Sequence, residues 1–142
     1  MGASQSTNKI NFEDVQYILN TQTEKYILIN TLHEREQDCL IPTTITAEVE
    51  VELLTNVMKR GNKGIRLLVY GRNCNDETIY KKYNDLCSLG FSNVHVYPGG
   101  LFEWLLLQDI YGPVEFPTTK KELDILKYKP TKVFNVQLLG YM

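Results

Sequence analysis

Ile65-Arg66-Leu67-Leu68-Val69-Tyr70-Gly71-Arg72-Asn73-Cys74-Asn75-Asp76-Glu77 decides the architecture. Ile65 to Tyr70 is a short, nearly continuous apolar run, which reads as a strand buried on both faces. Gly71 to Glu77 is small and polar, and Asp76 is placed to cap a following helix that carries Ile79, Tyr83 and Leu86 on one face and stops at Gly90. A buried strand that passes through a short loop into a helix is the building unit of a parallel sheet.

The same alternation extends in both directions. Upstream, Asn11 caps a helix with Phe12, Val15, Ile18 and Leu19 at helical spacing, and Tyr26–Asn30 is a second buried strand. A charged loop from His33 to Asp38 leads to Leu40-Ile41-Pro42, an extended piece closed by proline. Ala47 to Arg60 alternates in part like a strand. Thr46 as N-cap, Glu48 in the first turn, Lys59-Arg60 in the last and Gly61 beyond make it a helix with Ala47, Val51, Leu54 and Met58 inward. Downstream, Val94–Tyr97 is a third strand, and Pro98-Gly99-Gly100 breaks the chain. Leu101–Leu107 is a helix apolar nearly all round and therefore mostly buried, ended by Gly112-Pro113. Thr119-Lys120-Lys121-Glu122 has the spacing of a capping box opening a short helix with Leu123, Ile125 and Leu126, and from Thr131 the chain is a loose tail or an edge strand. The sum is an α/β, three-layer domain with a mainly parallel central sheet flanked by helices. Its ligand crevice is expected beyond the carboxyl ends of the strands, in the loops after Asn30, Tyr70 and Tyr97. The organisation expected is a flexible segment 1–10, a domain 11–112 and an extension 113–142.

Bulk properties narrow the function classes. A chain of 142 residues is one domain, and 43% hydrophobic with 23% charged residues is ordinary for a globular protein. A net charge of −2 gives no electrostatic footprint for nucleic acid. The three cysteines Cys39, Cys74 and Cys87 are scattered, and neither His33 nor His95 has a cysteine at ligand spacing. No disulfide framework, metal site or cofactor is therefore expected, and a reducing, cytoplasmic setting fits best. No apolar run reaches the length of a membrane span, and the start is too polar for a secretory signal.

The loop after Tyr70 carries the chemistry. A loop between a central strand and a helix N-terminus aims several backbone N–H groups at one point, which suits an anion or a thiolate. Arg72 can hold an anion or pair with Asp76. Cys74, close to the helix start, is the candidate nucleophile, with an ordinary loop cysteine as the plainer alternative. Cys87 beside Leu86 reads as a small buried hydrophobe, Trp104 as core, His33 as a surface loop residue and His95 as a strand residue.

The order of elements resembles the rhodanese-like family. The residues that carry the resemblance are Leu68-Val69-Tyr70 before the loop, then Leu89-Gly90-Phe91-Ser92-Asn93-Val94, then Gly99-Gly100 followed by Trp104. Ile27-Leu28-Ile29-Asn30 and Leu40-Ile41-Pro42 match more loosely the family's first strand and its "HIPGA" segment. The resemblance covers about residues 11–112. It implies a sulfurtransferase fold, in which active members carry the transferred sulfur on a cysteine directly after the strand. Gly71 stands there in this chain. Asn30 and Leu32 replace the family's aspartate and arginine, Leu40 replaces its histidine, and Asp76-Glu77 replaces its Arg-Ser. Two carboxylates at the mouth are expected to repel thiosulfate or phosphate. The resemblance thus implies a site made of Gly71, Arg72, Asn73, Cys74, Asn75, Asp76 and Glu77 without the sulfurtransferase nucleophile.

Met1-Gly2-Ala3-Ser4-Gln5-Ser6 fits the N-myristoylation pattern at Gly2. One acyl chain gives only marginal, reversible membrane binding, and no nearby cysteine or basic cluster adds a second anchor. The sequence therefore leads to a non-catalytic interaction module with a protein partner, no nucleic acid, and reversible contact with the cytoplasmic face of a membrane through myristate. The alternatives are a sulfurtransferase or thiol-redox enzyme using Cys74, and a structural component that uses the extension beyond Pro113 as its contact arm.

Overall fold

The computed structural model describes residues 7–21 and 25–134. In chain order its elements are α1 (Phe12–Asn20), β1 (Tyr26–Asn30), β2 (Thr44–Ile45), α2 (Ala47–Lys59), β3 (Arg66–Tyr70), α3 (Thr78–Ser88), β4 (Asn93–Tyr97), α4 (Gly100–Tyr111) and a 3-10 turn at Ile125–Tyr128. The strands form one four-stranded, all-parallel sheet in the order β2-β1-β3-β4. Asn30 pairs with Tyr70 and Tyr70 with Tyr97, so the three long strands end level and open their loops onto one edge.

Side-chain alternation along the strands splits the core in two. Leu28, Leu68, Tyr70 and Tyr97 face α1 and α4, where Val15, Leu101, Trp104 and Leu105 cover them. Ile29, Leu67, Val69, Val94 and Val96 face α2 and α3, covered by Leu54, Val57, Ile79 and Leu86. The strands read as unbroken apolar runs because both faces are covered. α1 is held by a reciprocal capping box, in which Asn11 Oδ1 accepts from the Asp14 N–H and Asp14 Oδ2 accepts from the Asn11 N–H.

Several expectations need correction. The N-terminal segment is not loose through residue 10. The Ile10 N–H donates to Val96 O at 2.9 Å and the Val96 N–H donates to Asn8 O at 2.8 Å, extending the sheet beyond β4. On α2 the inward residues are Glu50, Leu54 and Val57, while Val51 is 74% exposed. Glu50 enters the buried face because Lys82 of α3 meets its carboxylate, which a pattern based on hydrophobicity alone misses. α3 starts at Thr78, and Asp76 lies in the loop before it. Cys87 is exposed. α4 buries Leu101, Trp104 and Leu105 but leaves Ile110 and Tyr111 open.

The expected helix at Thr119–Leu126 is replaced by an irregular chain and the 3-10 turn. Thr119 is drawn away from the capping role: its hydroxyl donates to Asp38 O at 2.7 Å and its N–H donates to Leu40 O at 2.8 Å. Nor is this segment an appendage. Phe116 and Tyr128 are buried in the same core cluster as Trp104, so the packed body runs past the boundary expected at Gly112. Trp104 Nε1 donates to Pro117 O at 2.8 Å and ties the segment to α4. Thr131–Phe134 carry no regular element. Gly2 and residues 135–142 lie outside the described residues.

Candidate functional site

The loop from Gly71 to Glu77 leaves the carboxyl end of β3 and folds back over the start of α4. The Leu101 N–H donates to Gly71 O at 2.9 Å and the Phe102 N–H to Arg72 O at 2.8 Å, so the first free amides of α4 hold loop carbonyls. Gly100, at φ 70°, makes that approach possible, because a Cβ there would lie 2.8 Å from Gly71 O and 2.9 Å from Asn73 N.

Asp76 determines what the loop can do. Its Oδ2 accepts from the Arg72 N–H at 2.9 Å, and its Oδ1 accepts from the Thr78 N–H at 3.0 Å and from the Thr78 hydroxyl. These amides are the donors that an open loop of this kind would offer to an anion. A side chain built on Gly71 would collide with Asp76 Oδ2 and come within 2.7 Å of Thr31 Oγ1. The carboxylate therefore fills the space beside Gly71 and takes one amide at each end of the loop. Thr31 closes the far side, within 2.8 Å of Thr78 Oγ1.

The other sequence-predicted residues are accounted for in turn. The Arg72 guanidinium pairs with Glu36 rather than Asp76, donates to Lys127 O, and lies 5.2 Å from the Tyr128 ring centroid. Asn73 is buried and donates from Nδ2 to Tyr128 O at 2.9 Å, while its Oδ1 accepts from the Asn75 N–H. Cys74 is exposed, with Sγ 3.8 Å from Asn75 Oδ1. It precedes the first residue of α3 by four positions, and the first amide of that helix, on Thr78, donates to Asp76 rather than to its sulfur. Asn30 makes a reciprocal amide pair with Gln37, at 3.0 and 2.9 Å, and Oδ1 also accepts from the Leu32 N–H. His33 is exposed, and His95 Nδ1 is buried without a hydrogen-bond partner among the described residues. Cys39 lies in the core, where burial pushes its thiol up.

Sequence reasoning missed the second wall of the crevice. The segment Leu126–Lys132 lies opposite the loop, and together they flank an open cleft of about 850 Å³ lined by Arg72, Asn75, Glu77, Lys127, Lys129 and Lys132 among others. This corrects the expectation of an acidic mouth: Asp76 is spent on its own loop, and three lysines arrive from the far end of the chain. The signal available was the density of lysine between Lys120 and Lys132, without anything to say where it folds. Lys127 also bonds Glu122 at 2.7 Å, an exchange that raises the lysine and lowers the carboxylate from their ordinary values. Among the described residues no group of three or more His, Cys, Asp or Glu is placed to hold a metal ion, and no helix is long and apolar enough to cross a membrane.

A parallel sheet of this order, with a strand-loop-helix crevice at its carboxyl edge, defines the class, and solved structures place it. The chain matches the Alr3790 protein from Anabaena with a TM-score of 0.58 at 19% identity over 83% of this chain and 86% of that one. A single-domain sulfurtransferase from Saccharomyces cerevisiae matches with a TM-score of 0.55 at 21% identity, over 76% of this chain and 96% of that one. A thiosulfate sulfurtransferase from Pseudomonas aeruginosa matches with a TM-score of 0.57 at 20% identity, covering 74% of this chain but 20% of the larger enzyme. No protein-family model and no curated protein sequence matches the chain, so the likeness is one of structure. The chain has the rhodanese-like fold.

Proposed function

We propose that this chain is a non-catalytic binding module that uses the crevice beside the Gly71–Glu77 loop to hold a ligand rather than to transfer sulfur. The observation that carries the reading is the Asp76 carboxylate, which occupies the space beside Gly71 and accepts the Arg72 and Thr78 amides. A thiosulfate entering the loop would have to displace a covalently tethered anion and would find no nucleophile at Gly71. The loop is held by Asn73 on Tyr128 and by Arg72 on Glu36, which suits a fixed recognition surface.

The decisive experiment is thiosulfate-to-cyanide sulfur transfer on the purified chain and its Cys74→Ala variant, with mass spectrometry for a persulfide. Neither transfer nor persulfide is expected in either protein. Transfer that disappears with Cys74 would make this a sulfurtransferase with a relocated nucleophile and overturn the reading.

The same proposal includes acylation of Gly2 and reversible contact with the cytoplasmic face of a membrane, supported by the sequence pattern at the N-terminus. Co-sedimentation of the acylated chain with phosphatidylcholine vesicles is expected to fall in Gly2→Ala. Equal sedimentation of the two removes the lipid anchor from the proposal.

A further inference from the structure

The cleft between the Gly71–Glu77 loop and the Leu126–Lys132 segment has a volume of about 850 Å³, within the range of small-molecule sites. Its walls are held in place before any ligand arrives. Arg72 donates to Lys127 O and stacks on Tyr128, and Asn73 donates to Tyr128 O at 2.9 Å, so both walls are tied across the base. A ligand entering there meets little ordering cost.

The charges lining the cleft divide into engaged and free. Arg72 is paired with Glu36, Lys127 with Glu122, and Asp76 with its own loop amides. Lys129 and Lys132 have no ion-pair or hydrogen-bond partner for their side chains among the described residues, and both line the cleft. Lys129 has φ −65° and ψ 155°, an extended conformation, and Pro130 follows it. Glu77 is the carboxylate left on the opposite wall.

We propose that this cleft binds a small, multiply charged anion, such as a phosphate ester or a polycarboxylate, with Lys129 and Lys132 as its principal ligands. The proposal rests on reading the crevice as a binding site. The anion sits against the C-terminal segment and not beside Gly71, where the Asp76 carboxylate already lies. Glu77 opposes binding and sets its strength.

The test is a titration of the full chain, labelled with ¹⁵N, with sodium pyrophosphate and in parallel with citrate, at fixed ionic strength held by sodium chloride. Saturable amide shifts centred on Asn75, Lys129, Thr131 and Lys132 are expected with at least one of the two probes. Pyrophosphate alone names a phosphate ligand, and both together name charge as the criterion. Lys129→Ala/Lys132→Ala is expected to weaken binding about tenfold or more, the worth of losing charge-assisted contacts. Glu77→Gln is expected to tighten it about threefold, on the scale of one screened charge. Lys63→Ala, at the opposite end of the sheet, is expected to leave it unchanged. Both lysines are exposed, so the double variant keeps the fold, which its own spectrum checks. Linear shifts with both probes, or an unchanged affinity in the double variant, would overturn the proposal. A flat titration leaves the non-catalytic reading standing, and a persulfide on Cys74 overturns that reading without touching the titration, so the two failures are distinct.

Discussion

At the scale of single residues, the site is governed by a pair that exclude one another's side chains. Gly71 has no Cβ because the Asp76 carboxylate lies where it would be, and Asp76 lies there because the Arg72 and Thr78 amides need an acceptor. Gly71→Ala is therefore expected to cost about 2 kcal/mol by overpacking. Asp76→Ala is expected to cost about 1–2 kcal/mol by leaving amides unpaired. The double variant should cost less than the sum by about 1 kcal/mol, because removing the carboxylate relieves the closer of the methyl group's two contacts and leaves that with Thr31 Oγ1. Urea unfolding of the four proteins measures the coupling, and strict additivity would show that the carboxylate does not fill that space in solution. Thr43 presents the opposite case. It is an exposed, β-branched residue at φ 69°, a conformation that L side chains adopt at a cost. Thr43→Gly is expected to stabilise the fold by about 0.5–1 kcal/mol, relief of strain exceeding the extra chain entropy of glycine. A lower melting temperature in that variant would contradict the assignment.

At the scale of elements, two helix starts that look alike in sequence differ in how they are held. Asn11 and Asp14 form a complete capping box on α1, whereas Thr46 precedes α2 without a side-chain bond to its amides. Asn11→Ala is expected to cost about 1 kcal/mol and Thr46→Ala a few tenths, as read from thermal unfolding. Equal losses would mean that Thr46 caps its helix after all. The alternation of buried runs and helices was legible from local pattern, because burial on both faces imposes unbroken apolar strands. What pattern could not supply was any feature fixed by a distant partner. Thr119-Lys120-Lys121-Glu122 has the spacing of a capping box, but Thr119 bonds Asp38, 81 residues away, and the helix begins later and tighter. Val51 suited a helix face, but the Glu50–Lys82 pair turns the face by one residue. In both cases a polar contact across the fold outweighs a local preference worth a fraction of a kcal/mol.

At the scale of the whole molecule, the site is completed by chain ends that local reading leaves outside the domain. The loop could be placed from the order of strand, glycine and helix, but Lys127, Lys129 and Lys132 reach it only because Phe116 and Tyr128 anchor the C-terminal segment in the core. The same packing gives the fold a shared response to alkali. Tyr70, Tyr97, Tyr128 and Cys39 belong to one buried cluster, and burial, ahead of every other cause, raises each of them above its ordinary value of 10.0 for the phenols and 9.0 for the thiol. For Tyr97 the adjoining Glu103 carboxylate, which accepts its hydroxyl at 2.6 Å, pushes the same way. In each case the unfolded chain loses its proton before the folded one. The stabilising contribution is therefore complete below the unfolded value and is lost as pH rises toward the folded value, at about 1.4 kcal/mol per pH unit for each group. Urea midpoints are expected to be flat from neutral pH to about 9 and to fall steeply between about 10 and 11, where the phenols of the unfolded chain ionise. Tyr97→Phe lowers the midpoint at neutral pH by orphaning the carboxylate but should make the alkaline fall shallower by one group's share. The slope separates titration from packing: the same alkaline slope in Tyr97→Phe and the parent would show that this phenol ionises as readily folded as unfolded.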